Sequence, residues 1–514
     1  MGYESIRSRI IRTGAILLLA TPGTLLLTGP VWGQEHPAEA QPRQHPEHDR
    51  SAIFLTHVPH VNATVHRGGM AAATGGPAPA VPFAAPTFGG NSYSVGPTVT
   101  PTTTLPEGEE EIAVFPNSSG HLVAAISDFS QNGGFNMTKY VISADNGNTW
   151  SERFVPTDQF GFGFLQTGDG FFWLANSDPT VAIDRAGYVY IGDLYLDAFD
   201  NGNGLYVNII PPGSNVVTVR NTRPIKTNPS GSTIQFEDKP WITVDASSTV
   251  TAGNVYASWS HFTNINVGTD FIAFSRSTNH GRNWSALQRI SLPSQDGAVQ
   301  GSAVAVGPDG AVYVVYEVFY TGNQRQHFLA KSTNGGSTFS VPVAITPVFT
   351  DLTFDSTYRK NSFAALGVNP ATGYVYATYC DQPGANAQLE FIESTAPGAT
   401  SFTAPAVIND DPTGQRLMPA IAVDTAGTMH ISWFDTRNSP TTAAVYDIYA
   451  TFSADNGATF APNARVTAFS VDAGSASFIG DYAGIAAAGG NAHPVWTSGG
   501  FNNGQLQTAA LKVQ

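Results

Sequence analysis

The chain has 514 residues, a net charge of −15 and only 12% charged residues, with 52 Gly and 34 Pro beside 11% aromatic residues. This composition suits many short strands and tight turns better than long helices, so it predicts an all-β fold. The negative charge and the lack of a Lys/Arg run exclude a general affinity for nucleic-acid phosphates or anionic lipid, and we expect no nucleic-acid partner. The single cysteine, Cys380, excludes an intramolecular disulfide.

The first 33 residues have the features of a secretory signal. Three arginines precede an apolar stretch over residues 15–27, and the small residue Gly33 suits cleavage. The stretch is short for a bilayer span and is interrupted by Pro22 and Gly23. We therefore expect a secreted protein, extracellular or periplasmic, without stable membrane insertion after cleavage. A retained anchor is the alternative.

Residues 34–106 are rich in Pro, Ala, Gly, Thr and His and show no sustained hydrophobic period, which predicts a flexible leader. Six histidines lie in this segment, but their irregular spacing defines no coordination geometry. No cofactor and no metal site are predicted.

After the leader the sequence repeats itself with a period of about 60 residues, which is typical of repeat architectures. A short apolar strand recurs and is followed by a turn and by a second strand rich in Val, Tyr and Trp, as in a β-hairpin. The seven copies of the first strand begin at Ile112, Val181, Ile242, Val304, Leu366, Ile421 and Ile485.

A third strand in the repeat runs into a second turn, of the form Ser-x-Asp-x-Gly-x-Thr-Trp/Phe. Two copies are complete, at 143–150 and 453–460, and three degraded copies occur at 277–284, 332–339 and 394–402. The Asp or Asn oxygen can accept hydrogen bonds from backbone N–H groups of the turn, while Gly supplies a positive φ. We expect Asp145 and Asp455 to be structural.

Seven first strands predict a β-propeller of seven four-stranded antiparallel blades over residues 107–514, with six blades as the alternative. The last repeat is one strand short. We predict that a segment between residues 92 and 105, with Tyr93-Ser94-Val95, supplies this strand and closes the ring.

The topology of a propeller predicts that residues before first strands and after second strands share one rim. In five of six repeats a carboxylate follows the second strand. In a chain with so few charges, this gathering predicts a polar site over the central funnel. The rim residues after second strands are Asp128, Asp193, His261, Glu317, Asp381 and Asp435 with Arg437; those before first strands include Asp178, Asp238, Lys239, Arg359, Arg416, Asp481 and Tyr482.

The Ser-x-Asp-x-Gly-x-Thr turn is the Asp-box, or BNR repeat, and the phrases around Asp238, Asp435 and Asp481 resemble bacterial secreted sialidase-like proteins. Sialidases hold the substrate carboxylate with three arginines and use a Tyr nucleophile, a Glu and an acidic proton donor. The resemblance implies the following roles. Tyr482 would be the nucleophile, Glu317 its base and Asp193 or Asp128 the acid; Arg359, Arg416 and Arg437 would form the clamp, and Asp238, Lys239, Asp435 and Asp481 would add substrate contacts.

Structural roles are the alternatives for several of these residues. An ion pair that braces two blades is the alternative for Asp435 and Arg437, and packing at the rim of the funnel is the alternative for Tyr482. For Lys239, which Pro240 and Trp241 follow, the alternative is a brace at the entry of the strand.

Three functions stay open on this basis. The first is a glycoside hydrolase that acts on terminal sialic acid or another acidic sugar. The second is a non-catalytic propeller that binds a glycan or a protein, because the Phe/Tyr-Arg-Ile-Pro segment that carries a sialidase clamp arginine is missing. The third is a polysaccharide lyase with a Tyr or with His261 as its base. We expect a monomer.

Overall fold

The computed structural model describes residues 86–514, apart from 117, 119, 131–135, 158–163, 198–201, 229–234, 265–267, 477 and 500–502. The predicted signal and most of the predicted leader lie outside these residues. The described chain forms seven antiparallel sheets of four strands, two of them with one additional short strand, which we call blades 1 to 7 in chain order. None of the helices within these residues is long and apolar enough to cross a membrane.

Each blade runs outward from its first strand. Blade 1 comprises Glu107–Val114, Leu122–Asp128, Met137–Ser143 and Ser151–Phe154; blade 2 comprises Ala175–Ile183, Val189–Leu196, Asn203–Ile210 and Thr222–Asn228; blade 3 comprises Phe236–Val244, Val255–Asn264, Thr269–Ser277 and Gln288–Arg289; blade 4 comprises Val299–Val306, Val312–Tyr320, Gln324–Ser332 and Val343–Ala344. Blade 5 comprises Ala365–Val368, Val375–Asp381, Gln388–Glu393 and Ala406–Val407; blade 6 comprises Arg416–Val423, Met429–Asp435, Val445–Ser453 and Ala464–Arg465; blade 7 comprises Ile485–Ala488, Asn491–Thr497, Leu506–Val513 and, as its outer strand, Tyr93–Val99.

The inner strands of successive blades contact one another around the axis, and the inner strand of blade 7 contacts that of blade 1. The ring is therefore closed with seven blades, and the six-bladed alternative is excluded. All seven predicted first strands form inner strands. Six further strands of two residues each lie outside the four-stranded order of the blades: Thr87–Phe88, Leu165–Gln166, Phe172–Trp173, Phe349–Thr350, Thr459–Phe460 and Val471–Asp472.

The outer strand of blade 7 comes from the other end of the described chain. Tyr93–Val99 pairs antiparallel with Leu506–Val513, and Tyr93 lies opposite Val513. This is the segment that the sequence indicates for the missing strand. The Tyr93 side chain also contacts blade 6, where its hydroxyl lies 2.6 Å from Nδ1 of the buried His430.

The core lies between the blades. Second strands are buried on both faces because each blade packs between two neighbours, so they read as continuous apolar runs rather than alternating ones. The strand Leu122–Asp128 is buried at every residue, and the largest fully buried side chains include Trp259, Trp433 and Trp496.

The Ser-x-Asp-x-Gly-x-Thr turns have the predicted hydrogen bonds. The amide of Thr149 donates to Oδ1 of Asp145 at 2.8 Å, and the amide of Gly147 donates to the Ser143 hydroxyl at 3.0 Å. Gly147 has φ 81°, a conformation that favours glycine. Asp145 thus accepts hydrogen bonds within its own turn.

The residue after the Asp or Asn of these turns also links its blade to the one before it. Asn146, His280 and Asn456 all have φ between 58° and 62°. Each reaches a polar side chain of the preceding blade: Asn146 Oδ1 lies 3.2 Å from Nε2 of His493, His280 Nδ1 lies 3.1 Å from the hydroxyl of Tyr190, and the hydroxyl of Tyr376 donates to Asn456 at 2.6 Å. The turns therefore connect neighbouring blades by side-chain hydrogen bonds on the rim opposite the starts of the inner strands.

Candidate active site at one mouth of the ring

Five inner strands carry a bulge near the same rim, and a residue at each bulge has a left-handed backbone. Such a conformation is uncommon outside glycine and costs free energy, and bulges re-aim side chains next to functional sites. These residues are Glu109 (φ 62°), Asp178 (φ 54°), Lys239 (φ 48°), Gly301 (φ 64°) and Met418 (φ 49°). We call the group formed by Glu109, Asp178, Asp238, Lys239, Arg359, Asp481 and Tyr482 the mouth.

Two carboxyl groups from neighbouring blades form a pair in the mouth. The carboxyl group of Glu109 lies within hydrogen-bonding reach of that of Asp178. Burial raises the pKa of Glu109 well above its ordinary value, and the charges of Asp178 and Asp481 raise it further. Two carboxyl groups can share a hydrogen bond only if one of them holds a proton, and the raised pKa of Glu109 favours Glu109 as its holder.

Asp238 and Lys239 lie beside this pair and are partly exposed. Burial and the charge of Asp178 raise the pKa of Asp238 to about 7, whereas burial lowers the pKa of Lys239. The Lys239 Nζ lies 4.3 Å from the ring centroid of Tyr482, 5.4 Å from that of Phe363 and 5.5 Å from that of Trp241. Aromatic rings at these distances stabilise the ammonium group where its hydration is reduced.

The segments that lead into blades 5 and 7 meet through an ion pair. Nε of Arg359 donates to Oδ1 of Asp481 at 2.8 Å, and Nη2 of Arg359 donates to Oδ2 of the same carboxylate. The Asn361 side chain donates to the Asp481 carbonyl at 2.9 Å. Arg359 therefore meets a carboxylate of the chain itself in the two-pronged geometry by which an arginine would bind a substrate carboxylate.

Tyr482 is held in its neutral form. Its hydroxyl donates to the carbonyl of Pro179 at 2.8 Å, and the residue is 7% exposed. Burial raises the pKa of the phenol well above its ordinary value, and the charges of Glu109, Asp178 and other acids raise it further. A phenol in this setting resists the deprotonation that a nucleophile needs.

A small cavity at the mouth and a larger channel lie along the axis. The cavity has a volume of about 50 Å³ and is bordered by Lys239, Phe363 and Tyr482. The channel has a volume of about 430 Å³ and is lined by the far ends of the inner strands and the turns after them, including Ile183 and Pro308. The residues that border both spaces form the partition between them: Glu111, Trp241, Leu366 and Ile421.

Three of the predicted catalytic acids lie inside blades rather than in the mouth. Asp128 is fully buried, with Oδ2 2.5 Å from Nζ of Lys139. Glu317 accepts a hydrogen bond from the Ser362 hydroxyl at 2.7 Å. Asp193 accepts a hydrogen bond from the Thr138 hydroxyl at 2.7 Å. All three are bound by groups of the chain itself.

The predicted arginine clamp is not formed. Of its three arginines, Arg359 belongs to the mouth, whereas Arg416 and Arg437 both bind Asp435 in blade 6, at 3.3 Å and 2.8 Å. Arg437 also binds Asp410 at 2.6 Å. These contacts agree with the alternative interpretation, in which Asp435 and Arg437 form an internal brace.

His261 is also internal. Its Nδ1 lies 2.8 Å from a carboxylate oxygen of Glu237, and both residues are buried. The imidazole of His261 is therefore engaged by a carboxylate of the chain itself.

Two residues of the mouth are not among the predicted site residues. The sequence predicts only that Asp178 lies at the rim. Glu109 is not predicted as a site residue, because it stands within the acidic run Glu107-Gly108-Glu109-Glu110-Glu111. The available signal is its place, because Glu109 lies three residues before the apolar start of its strand at Ile112, just as Asp178 lies three residues before Val181.

No family model matches the chain, and no curated protein is similar enough to count as a relative. Among solved structures, the chain is similar to a protein of unknown function from Dyadobacter fermentans, with 13% identity, a TM-score of 0.46 and coverage of 82% of this chain and 99% of that one. It is similar to the Hadza microbial sialidase Hz136, with 12% identity, a TM-score of 0.44 and coverage of 83% and 98%. It is also similar to an α-L-arabinanase from Penicillium chrysogenum, with 10% identity, a TM-score of 0.45 and coverage of 82% and 98%.

Proposed function

We propose that the chain is a glycoside hydrolase whose reaction takes place at the mouth. The observation that carries the proposal is the pair of carboxyl groups that the bulges of blades 1 and 2 bring together, Glu109 and Asp178, with the third carboxyl group of Asp238 beside it. Most glycoside hydrolases use one carboxyl group that donates a proton and a second that acts as base or nucleophile.

The environments of the three carboxyl groups suit different roles. Glu109, whose raised pKa favours the protonated form, would protonate the oxygen of the leaving group, and Asp178 would hold that proton in place. Asp238, with a pKa of about 7, is ionised in a large fraction of molecules at neutral pH and would act on the other side of the sugar as base or nucleophile. The neutral, hydrogen-bonded Tyr482 would shape the floor of the site.

The charges of the mouth favour a neutral sugar over an acidic one. Arg359 is paired with Asp481, and Lys239 is enclosed by aromatic rings and surrounded by carboxyl groups. A substrate carboxylate would have to displace Asp481 and would meet the net negative charge of the chain. We therefore propose a neutral glycoside as substrate, in place of the sialic acid that the sequence resemblance implies.

A panel of fluorogenic glycosides tests this proposal, with neutral hexosides and pentosides in one arm and sialosides and uronides in the other. We expect turnover of a neutral glycoside, and a loss of about 10²- to 10⁴-fold in kcat/KM for Glu109→Gln and for Asp238→Asn. A best rate on a sialoside, or full activity of Glu109→Gln, would contradict the proposal.

Asp145→Asn is the matched control for these variants. It makes the same kind of change in a turn on the opposite rim, and Asn already stands at the corresponding positions 279 and 334 of two other turns. The control should keep full activity.

Glycan binding without catalysis is the second candidate, and the size of the mouth cavity favours it. A volume of about 50 Å³ is far below the roughly 300 Å³ or more that is usual for ligand pockets, so a sugar ring would lie above the carboxyl groups rather than among them. In that case a glycan array would show binding by the wild type and by Glu109→Gln alike, and no glycoside would be turned over.

We also propose that the mature protein works outside the cytoplasm, as the features of residues 1–33 suggest. Expression of the full chain in a bacterial host, followed by N-terminal sequencing of the exported protein, tests this. Export with a new N-terminus after Gly33 is expected, and retention of the uncleaved chain in the cytoplasm would be the contrary result.

A further inference from the structure

Blades 1 and 5 place an acid at the same position at the end of the second strand. In blade 1 this acid is Asp128, which lies opposite Met137, and two residues further along the third strand is Lys139. In blade 5 the acid is Asp381, which lies opposite Gln388. The residue two positions beyond Gln388 is Glu390, so a glutamate in blade 5 occupies the register position of the lysine in blade 1.

This register also puts Asp381 and Glu390 on one face of blade 5. Glu390 lies opposite Tyr379, and Asp381 is two residues beyond Tyr379 on the same strand. Side chains two residues apart on a strand, and those directly opposite each other in a pair, share a face of the sheet. The two carboxyl groups are therefore diagonal neighbours, as Asp128 and Lys139 are in blade 1.

The lysine of blade 1 neutralises its acidic neighbours. Nζ of Lys139 lies 2.5 Å from Asp128, 2.6 Å from Glu107 and 2.6 Å from Glu152. Buried carboxylates require such a partner because removal from water is costly for an unpaired charge.

Among the residues that the structure describes, the acids of blade 5 have no such partner. Oδ1 of Asp381 and Oε2 of Glu390 are both buried without a hydrogen-bond partner, and Glu390 is 6% exposed. Within the described part of the chain, no Lys, Arg or His forms an ion pair with either residue. Burial raises the pKa of Glu390 to about 8, with a further contribution from the charge of Asp381. Buried polar atoms without partners require an explanation such as an ion or a water molecule.

We propose that Asp381 and Glu390 bind a hard divalent cation, which takes the place that the ammonium group of Lys139 has in blade 1. Carboxylate oxygens are the ligands that such cations prefer, and Asp381 is only partly buried, so water molecules can complete the coordination shell. Across the described residues no cluster of three or more His, Cys, Asp or Glu is arranged to hold a metal ion, so the protein supplies these two carboxylates alone. The site is independent of the mouth and of the proposed hydrolase activity.

Calcium binding to the full chain tests the proposal. After treatment with a chelator, the wild type is titrated with Ca²⁺ at pH 7.5 by isothermal calorimetry and by equilibrium dialysis. We expect Asp381→Asn and Glu390→Gln each to bind one Ca²⁺ fewer per chain than the wild type. Glu393→Gln is the matched control, because Glu393 lies on the same strand, has a buried unpartnered oxygen and, three residues from Glu390, belongs to the other face.

A second variant restores the charge without a metal. Glu390→Lys recreates the blade 1 arrangement, so we expect it to lose the Ca²⁺ response while it unfolds at a temperature at least as high as that of the calcium-free wild type. The wild type should gain roughly 1–2 °C in Tm at millimolar Ca²⁺. Equal Ca²⁺ binding by the wild type and Glu390→Gln, or a Ca²⁺ response retained by Glu390→Lys, would overturn the proposal.

Discussion

Replacement of Lys139 by Met removes the cation that neutralises a buried cluster of carboxylates in blade 1. The Lys139, Glu107 and Asp128 side chains are all 0% exposed. At an effective dielectric constant of about 20, a contact of 2.6 Å between Lys139 and Glu107 corresponds to about 6 kcal/mol of gross attraction. Desolvation offsets most of this, and the loss of one partner from a buried pair costs about 3–5 kcal/mol. We therefore expect Lys139→Met to lower the free energy of unfolding by about 3–5 kcal/mol at pH 8.

This loss should depend on pH in a definite direction. Burial already raises the pKa of Glu107, and without the opposing charge of Lys139 the folded-state pKa of Glu107 would lie still further above its unfolded value. The folded variant then binds protons more strongly than the unfolded chain, so its stability rises as pH falls. The difference from the wild type should be smaller at pH 5 than at pH 8.

Urea unfolding followed by tryptophan fluorescence at the two pH values measures both effects. A variant that combines Lys139→Met with Glu107→Gln and Asp128→Asn is the control, because it removes the uncompensated charges and should recover part of the loss. A loss below about 1 kcal/mol, or the same loss at pH 5 and pH 8, would refute the reasoning.

Contacts within the ring give three more expectations. Tyr93→Phe removes the hydrogen bond to His430 and should lower the free energy of unfolding by about 1 kcal/mol, measured by urea unfolding. Asn456→Ala removes the bond to Tyr376 and places alanine at a positive φ, so its Tm should fall, with an unchanged Tm as the contrary result. Burial raises the pKa of Asp447, but several hydrogen bonds lower it more, to below its ordinary value. The contribution of the ionised Asp447 to stability is therefore lost as pH falls through that lowered pKa. Because Asp447→Asn has no such contribution to lose, its Tm should fall less than that of the wild type between pH 5 and pH 2.

The blades can be predicted from the sequence because their signals are local. A strand such as Val299–Val306, the turn after it and the next strand lie within about 20 residues, and seven repetitions make the pattern clear. The closing strand is also accessible, since the count of strands in the last repeat shows that one is missing.

The mouth can be predicted in part. Asp238, Lys239, Arg359, Asp481 and Tyr482 are found because the topology places every residue that precedes a first strand at one rim. The bulges at Glu109, Asp178 and Lys239 depend on backbone conformations that no residue pattern in a single sequence reveals.

The surroundings of the acids that follow second strands could not be predicted from the sequence. Asp128, Glu317 and Asp435 do lie at the ends of their strands toward the predicted rim, but each side chain is enclosed by a partner of the chain itself. The sequence shows the charge of each of these residues, but it does not show which group of the chain contacts that charge in the fold.

The position of Tyr93 opposite Val513 has a mechanical consequence. In this antiparallel pair the N-terminal end of Tyr93–Val99 lies beside the C-terminal end of Leu506–Val513. A pull on these two ends would first load the pairing of Thr87–Phe88 with Thr459–Phe460. It would then load the hydrogen bonds of the last blade one after another instead of all at once.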